Sequence, residues 1–134
     1  LYIEPLSSIS FRMVTTETSI LDDVRRESYV YASYSPLFER FHRDLHPELT
    51  SGALTVGYEG LSIEILRRRG GTAYLPDSQI ARLQGELPGL QSVDDAPLIQ
   101  QPLYLAAHIR RRHRPLVAGG LRTIRDLAGS TIAV

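Results

Sequence analysis

With 134 residues, 43% of them hydrophobic and 22% charged, the chain is long enough for one domain and too apolar to be disordered. Its 15 basic residues balance 15 acidic ones, so the basic excess by which proteins grip phosphate backbones is absent. The lack of cysteine excludes disulfides, thiolate metal sites and thiol nucleophiles together. No apolar run approaches ~18 residues, and no basic segment leads into an apolar one. A cytoplasmic protein without a membrane partner is therefore expected. Leu1 stands where an initiating Met would, which suggests a piece of a longer protein; every basic residue is Arg, a compositional bias without mechanistic content.

Residues 1–9 place Tyr2, Ile3, Leu6 and Ile9 among Ser and Pro, an extended lead-in, and residues 11–14 (FRMV) make a better strand. A charged, turn-rich segment at 21–27 precedes a short β-branched and aromatic strand, 29–32 (YVYA). Ser35-Pro36 opens a helix, with Ser as N-cap and Pro at the first helical position, where its missing N–H costs nothing. The spacing of Phe38, Phe41 and Leu45 gives that helix its apolar face, and Pro47 stops it.

Residues 55–76 read as strand, turn, helix, Gly-Gly stop and strand, which is the βαβ order of an α/β sheet. The strand starts at Ala53, and the turn is Tyr58-Glu59-Gly60. Leu61, Ile65 and Leu66 form a helix face, while Arg67, Arg68 and Arg69 complement the C-terminal dipole. Gly70-Gly71 supplies the left-handed stop. A strand at 72–75 ends at Pro76, Asp77 caps a helix carrying Ile80 and Leu83, and 90–93 make an edge strand. Residues 102–109 are apolar enough for a strand buried on both faces. A basic loop, 110–114, leads to a last helix with Val117, Leu121, Ile124 and Ala128 on one face. Strands alternating with helices call for an α/β, Rossmann-like, mixed or parallel sheet flanked by helices.

Catalysis finds little support. No serine occupies a G-x-S-x-G elbow, and Ser35 is explained as a cap. His42 and His46 at i, i+4 could ligate zinc, but no Glu stands between them and Pro47 frays the helix end, so a solvated face is the simpler reading. His108, inside the apolar strand, reads as a hydrogen-bonded buried residue. The dipole at a helix N-terminus disfavours a general-acid role for Glu59. Gly57-x-x-Gly60 lacks the third glycine and the Lys-Ser/Thr of a phosphate loop. No catalytic residue, metal or cofactor is expected. What remains at the strand ends is a neutral, hydroxylic and aromatic set: Tyr34 and Ser35, then Tyr58, Glu59, Gly60 and Ser62, then Thr72 and Tyr74. Helix N-termini at Ser35 and Gly60 aim N–H groups at the crevice and favour a carboxylate or another anion. Ordinary loop residues and capped helices would look the same.

The order of YVYASYSPLFERFH (29–42), a strand, IEILRRRGGTAYLP (63–76), RLQGELPGLQSV (82–93), PLYLAAHIRRRHRP (102–115) and a final helix resembles the effector-binding domain of LysR-type transcriptional regulators. The match runs from about residue 10 to the end. The resemblance implies half of a type 2 periplasmic-binding-protein-like domain: 1–15 as a remnant of the first subdomain with the outgoing crossover strand, 16–101 as the second subdomain, and 102–134 as the return strand and a helix belonging to the first. It implies a ligand-sensing, non-enzymatic role in transcription regulation, with a small-molecule effector held by Tyr34, Ser35, Tyr58, Glu59, Thr72 and Tyr74. It also implies a homodimer and DNA binding by the full-length protein but not by this part, which lacks the helix-turn-helix domain; with the packing partner of the last helix missing, Val117, Leu121 and Ile124 are expected to be buried by dimerisation or strand exchange. A small α/β enzyme or solute-binding module using Glu59 and nearby hydroxyls is the alternative.

Overall fold

The computed structural model describes residues 1–50, 54–108 and 114–132. The expected strand start at Ala53, the strand end at Ile109, the loop residues 110–113 and the side chain of Ala128 lie outside the described residues. The element order is β1 (Tyr2–Thr15), β2 (Val30–Ala32), α1 (Pro36–Leu45), α2 (Pro47–Thr50), β3 (Leu54–Val56), α3 (Glu59–Arg68), β4 (Thr72–Pro76), α4 (Asp77–Glu86), β5 (Gln91–Ser92), β6 (Ile99–Ala107) and α5 (Pro115–Ile132). Two short 3-10 turns, Leu21–Asp23 and Arg26–Ser28, fill the charged segment before β2. The chain forms two compact units, one of Leu1–Ile9 with Gln101–Val134 and one of Ser10–Gln100.

The Ser10–Gln100 unit is a mixed α/β sheet flanked by helices. β2 and β3 pair in parallel, with Tyr31 opposite Thr55, and Tyr29 bridges Thr72 in parallel. β1 instead runs antiparallel to β4, from Phe11 opposite Pro76 to Thr15 opposite Thr72, and antiparallel to β5. Val14, Val30, Ala73 and Leu75 from the strands meet Ile63, Leu66, Ile80 and Leu83 from α3 and α4 in one apolar core. Burying such a set is the main favourable term in folding.

The Gly-Gly stop is built as its sequence requires. Gly70 and Gly71 have φ of 78° and 133°, and a Cβ on Gly71 would lie 2.3 Å from the Ser28 carbonyl oxygen. The corner is fixed to the end of β1: Thr16 N–H donates to the Gly71 carbonyl at 3.0 Å, and Gly71 N–H donates to Thr16 Oγ1 at 2.9 Å. After it, Asp77 does not cap α4. Pro76 is the N-cap residue, and Asp77 pairs with Arg12 at 3.0 Å instead, tying α4 to β1.

Three helix and strand faces differ from expectation. In α1 the buried residues are Phe38 and His42, while Phe41 and Leu45 are each 41% exposed. In α3 the buried face is Ser62, Ile63 and Leu66, and Leu61 points outward. In α1, Phe38 packs against Phe11, Tyr34 and Tyr74 and His42 against Tyr31, while in α3 Ile63 and Leu66 join the aliphatic core of Val14, Val30, Ala73 and Leu75. β6 begins at Ile99 and alternates in burial, so it is not buried on both faces; it pairs with β1 as a one-faced strand. His108 follows its end and is exposed rather than buried.

The other unit contains the first part of β1, the later part of β6 and α5. Arg125 of α5 is ion-paired with Glu4 of β1, whose carboxylate also accepts from the Tyr2 hydroxyl at 2.7 Å. Leu121 is buried, whereas Leu116, Ile124 and Leu127 are exposed. Among the described residues no helix is long and apolar enough to cross a membrane.

Candidate functional site

Parallel pairing of β2 and β3 sets the ends of both strands side by side, each running directly into a helix. Ser33 N–H donates to the Val56 carbonyl at 3.1 Å, which holds the two strand-to-helix turns together. The result is a rim formed by Tyr34 and Ser35 before α1 and by Tyr58 and Glu59 before and within the first turn of α3.

The two helix starts are chemically different. Ser35 Oγ accepts from Phe38 N–H at 3.1 Å, with Pro36 in the first turn, so α1 caps itself. At α3 the N-cap residue is Tyr58, whose extended backbone starts the helix without any side-chain cap. Its ring lies against Gly60, where an added Cβ would come within 2.6 Å of a ring carbon. Tyr58 is 59% exposed and Glu59 is half-buried. The first-turn N–H groups of α3 are therefore an uncapped positive dipole end close to solvent.

Beneath this turn lies a hydroxyl cluster. Tyr34 packs its ring against Phe11 and Phe38, at centroid distances of 4.5 Å and 4.9 Å, and donates its hydroxyl to the Tyr74 carbonyl at 2.5 Å. Burial raises the pKa of that phenol, the charge of Glu59 raises it further, and the neighbouring Ser62 hydroxyl lowers it slightly. Ser62 is wholly buried, yet among the described residues its Oγ is the buried side-chain oxygen left without a hydrogen bond of acceptable geometry. Such orphans are rare in folded proteins. In the sequence only its place four residues before Leu66, on what becomes the buried face of α3, sets Ser62 apart from the other strand-end hydroxyls.

Thr72 and Tyr74 are elsewhere. Thr72 is buried, and its hydroxyl shares a 2.8 Å hydrogen bond with that of Thr15 across the β1–β4 pair. Tyr74 is buried too, donating its hydroxyl to the Pro97 carbonyl at 2.8 Å. Both hydroxyls are consumed inside the fold and neither reaches the rim.

His42 and His46 correct a further expectation: they are not a solvated face but core, with 0% and 2% of their surface exposed. The Tyr29 hydroxyl meets His42 Nε2 at 2.5 Å, His42 Nδ1 meets Thr50 Oγ1 at 3.2 Å, and Thr50 Oγ1 donates to the His46 carbonyl at 3.1 Å. One tautomer satisfies the whole chain: Tyr29 donates to Nε2, and Nδ1–H donates to Thr50. Because Tyr74 already donates to Pro97, His46 Nε2–H must donate to the Tyr74 oxygen, at 2.8 Å. Burial holds His42 down to about 4, helped by nearby His46, and burial lowers His46 despite the charge of Glu48. Among the described residues no group of three or more His, Asp or Glu could hold a metal ion. A shallow recess of about 370 Å³, lined by Phe41, Leu45, Leu98, Ile99 and Gln100, is apolar and includes none of the rim residues.

No protein-family model matches the sequence, and no curated protein does. Solved structures do match. The apo regulatory domain of HypT from Salmonella typhimurium superposes with a TM-score of 0.68 at 15% identity, over 96% of this chain and 66% of that one. Full-length LysG from Corynebacterium glutamicum, a LysR-type regulator with bound effector Arg, gives 0.59 at 19% identity, over 95% of this chain and 46% of that one. The chain has the fold of a LysR-type effector domain. It spans about two thirds of the HypT regulatory domain and less than half of LysG. The same effector-domain fold extends to solute receptors: that for L-cysteine from Neisseria gonorrhoeae superposes with a TM-score of 0.59 at 10% identity, over 95% of this chain and 55% of that one.

Proposed function

We propose that this chain is the ligand-sensing part of a LysR-type, DNA-binding transcriptional regulator, acting in the cytoplasm and binding a small effector without catalysing a reaction. The observation that carries the reading is the rim itself: the effector-domain fold brings the uncapped first turn of α3 beside Tyr34 and Ser35, at the ends of parallel strands, where α/β folds bind ligands. Tyr34, Ser35, Tyr58 and Glu59 are the residues assigned to the effector, with Ser62 beneath them. Thr72 and Tyr74 serve the assignment only by holding β4 in place.

Direct contact with nucleic acid is assigned to the regulator's other parts. Arg12, Arg67, Arg68 and Arg125 are each paired with a carboxylate, which leaves them poor phosphate ligands. A homodimer is part of the same reading, and the exposed Leu116, Ile124 and Leu127 on α5 are the side chains it would cover. The second reading, a solute-binding module, draws on the likeness to the cysteine receptor.

The test is thermal denaturation of the chain with small organic acids and amino acids at millimolar concentration. Sensing predicts a saturable rise in melting temperature from at least one compound, weakened by Tyr34→Ala and unaccompanied by turnover. Turnover of a bound compound would replace the sensor with an enzyme. Light scattering that finds only monomer at high concentration would remove the dimer.

A further inference from the structure

The helix pair α1–α2 is held to the sheet by different chemistry from α3 and α4. Ile63 and Leu66 of α3 and Ile80 and Leu83 of α4 enter the aliphatic core; among the described residues no side chain of α1 or α2 does. Between Pro36 and Thr50 the buried side chains are Phe38, His42, His46 and Leu49, so imidazoles make up half of the buried set. Among the described residues no ion pair joins either helix to a strand. The imidazoles supply polar anchorage instead: His42 meets the Tyr29 hydroxyl, and His46 meets that of Tyr74, which in turn holds the Pro97 carbonyl.

The groups that face the two rings are neutral. Tyr29 and Tyr31 lie against His42 at β2, Tyr74 lies against both rings from β4, and Thr50 of α2 meets His42. Burial holds Tyr29, Tyr31 and Tyr74 above the ordinary tyrosine range, so none of them supplies a negative charge. On α1 itself Arg40, Arg43 and Asp44 are exposed and Glu39 is engaged by Ser33, while Glu48, whose charge favours protonation of His46, is exposed on α2. Protons taken up by both rings would place like charges at a centroid separation of 5.5 Å, away from water. A proton on His42 would also turn its Nε2 from acceptor into donor, against the Tyr29 hydroxyl that donates to it.

We propose that α1 and α2 form an acid-released clip: protonation of His42 and His46 frees this helix pair from the sheet while β4, α3 and α4 stay folded. Ser35 begins α1, so release also loosens the Tyr34–Ser35 side of the rim. The sign follows from the closed state, which refuses protons. His42 is held down to about 4 when clipped and returns toward 6.5 when released, so opening becomes more favourable as pH falls from about 6.5 toward 4.

Amide hydrogen exchange of the 134-residue chain, read by mass spectrometry at about pH 7.5 and about pH 5 and corrected for the intrinsic rate at each, tests this. The α1 amides are expected to be at least roughly tenfold less protected than those of α3 and α4 at both values, and to lose at least roughly tenfold between them. His42→Phe, which keeps a ring but takes no proton, should remove most of that loss, with circular dichroism at neutral pH checking that the variant folds. Protection of α1 equal to that of α3 and α4, or the same at both pH values, overturns the clip. So does an unchanged loss in a folded His42→Phe protein, and if the variant does not fold the wild-type comparison decides alone. None of these outcomes touches the sensing role, which is read from ligand binding.

Discussion

Two clusters within the Ser10–Gln100 unit use the same kinds of side chain to opposite ends. The core cluster of Tyr29, His42, Thr50, His46 and Tyr74 buries hydroxyls and imidazoles whose donors and acceptors close on one another. The rim cluster of Tyr34, Tyr58, Glu59 and Ser62 keeps an uncapped helix start, an unpaired carboxylate and an orphan hydroxyl. Polar residues in the first are structure; those in the second are, on the function proposed above, capacity for binding. The difference lies in satisfaction rather than in residue type or burial, since Ser62 is as buried as His42.

If the core cluster is structural, breaking it should cost most. His42→Ala removes a wholly buried ring and strands the Tyr29 hydroxyl and Thr50, so a loss of about 3–4 kcal/mol is expected by urea denaturation. A loss under ~1 kcal/mol would mean the cluster is loosely packed and the contrast with the rim false.

Protonation attacks the same cluster without mutation. His42 is held down to about 4 from the ordinary 6.5, so between those values the unfolded chain binds protons that the folded chain refuses. Stability is therefore complete above about pH 6.5, declines as pH falls toward 4 and levels off below, by about 2–3 kcal/mol for this one group. His46, also lowered by burial, acts in the same direction. Urea midpoints that stay flat from pH 7 to pH 4.5 would show that neither ring is buried neutral.

A smaller effect is expected of Tyr74→Phe, which keeps the ring but leaves His46 Nε2–H and the Pro97 carbonyl without their shared partner. The expected cost is about 1–2 kcal/mol, with effector binding unchanged because this hydroxyl does not reach the rim. Loss of binding in a stable Tyr74→Phe protein would return Tyr74 to the effector site.

How much of this contrast could be read from residues alone follows from the range of each interaction. Ser35-Pro36 and Gly70-Gly71 were legible because a cap and a left-handed corner are decided within four residues. The α/β class was legible because elements alternate. The solvent side of α1 was not: Phe38, Phe41 and Leu45 made an apolar stripe, but the aromatic surface of β2 and β4 took Phe38 and His42 instead, with Tyr31 and Tyr74 against the imidazole. The fates of Thr72 and Tyr74 depended on Thr15 and Pro97, which are distant in sequence. For β6, apolar composition could not say that only one face would be covered.

Ser62→Ala sharpens the comparison at its weakest point. A satisfied buried hydroxyl costs stability when removed, whereas an orphan one has already incurred the desolvation penalty that the methyl group avoids. Ser62 lies at the same depth as His42 but without its partners, so Ser62→Ala should change stability by less than about 1 kcal/mol, and toward stabilisation. The same variant should weaken effector binding if the hydroxyl is part of the floor on which the ligand rests. Stability gained together with affinity lost is the signature of a group kept for function. A clear loss of stability with affinity intact would instead place Ser62 among the structural hydroxyls, beside Tyr29 and Thr72.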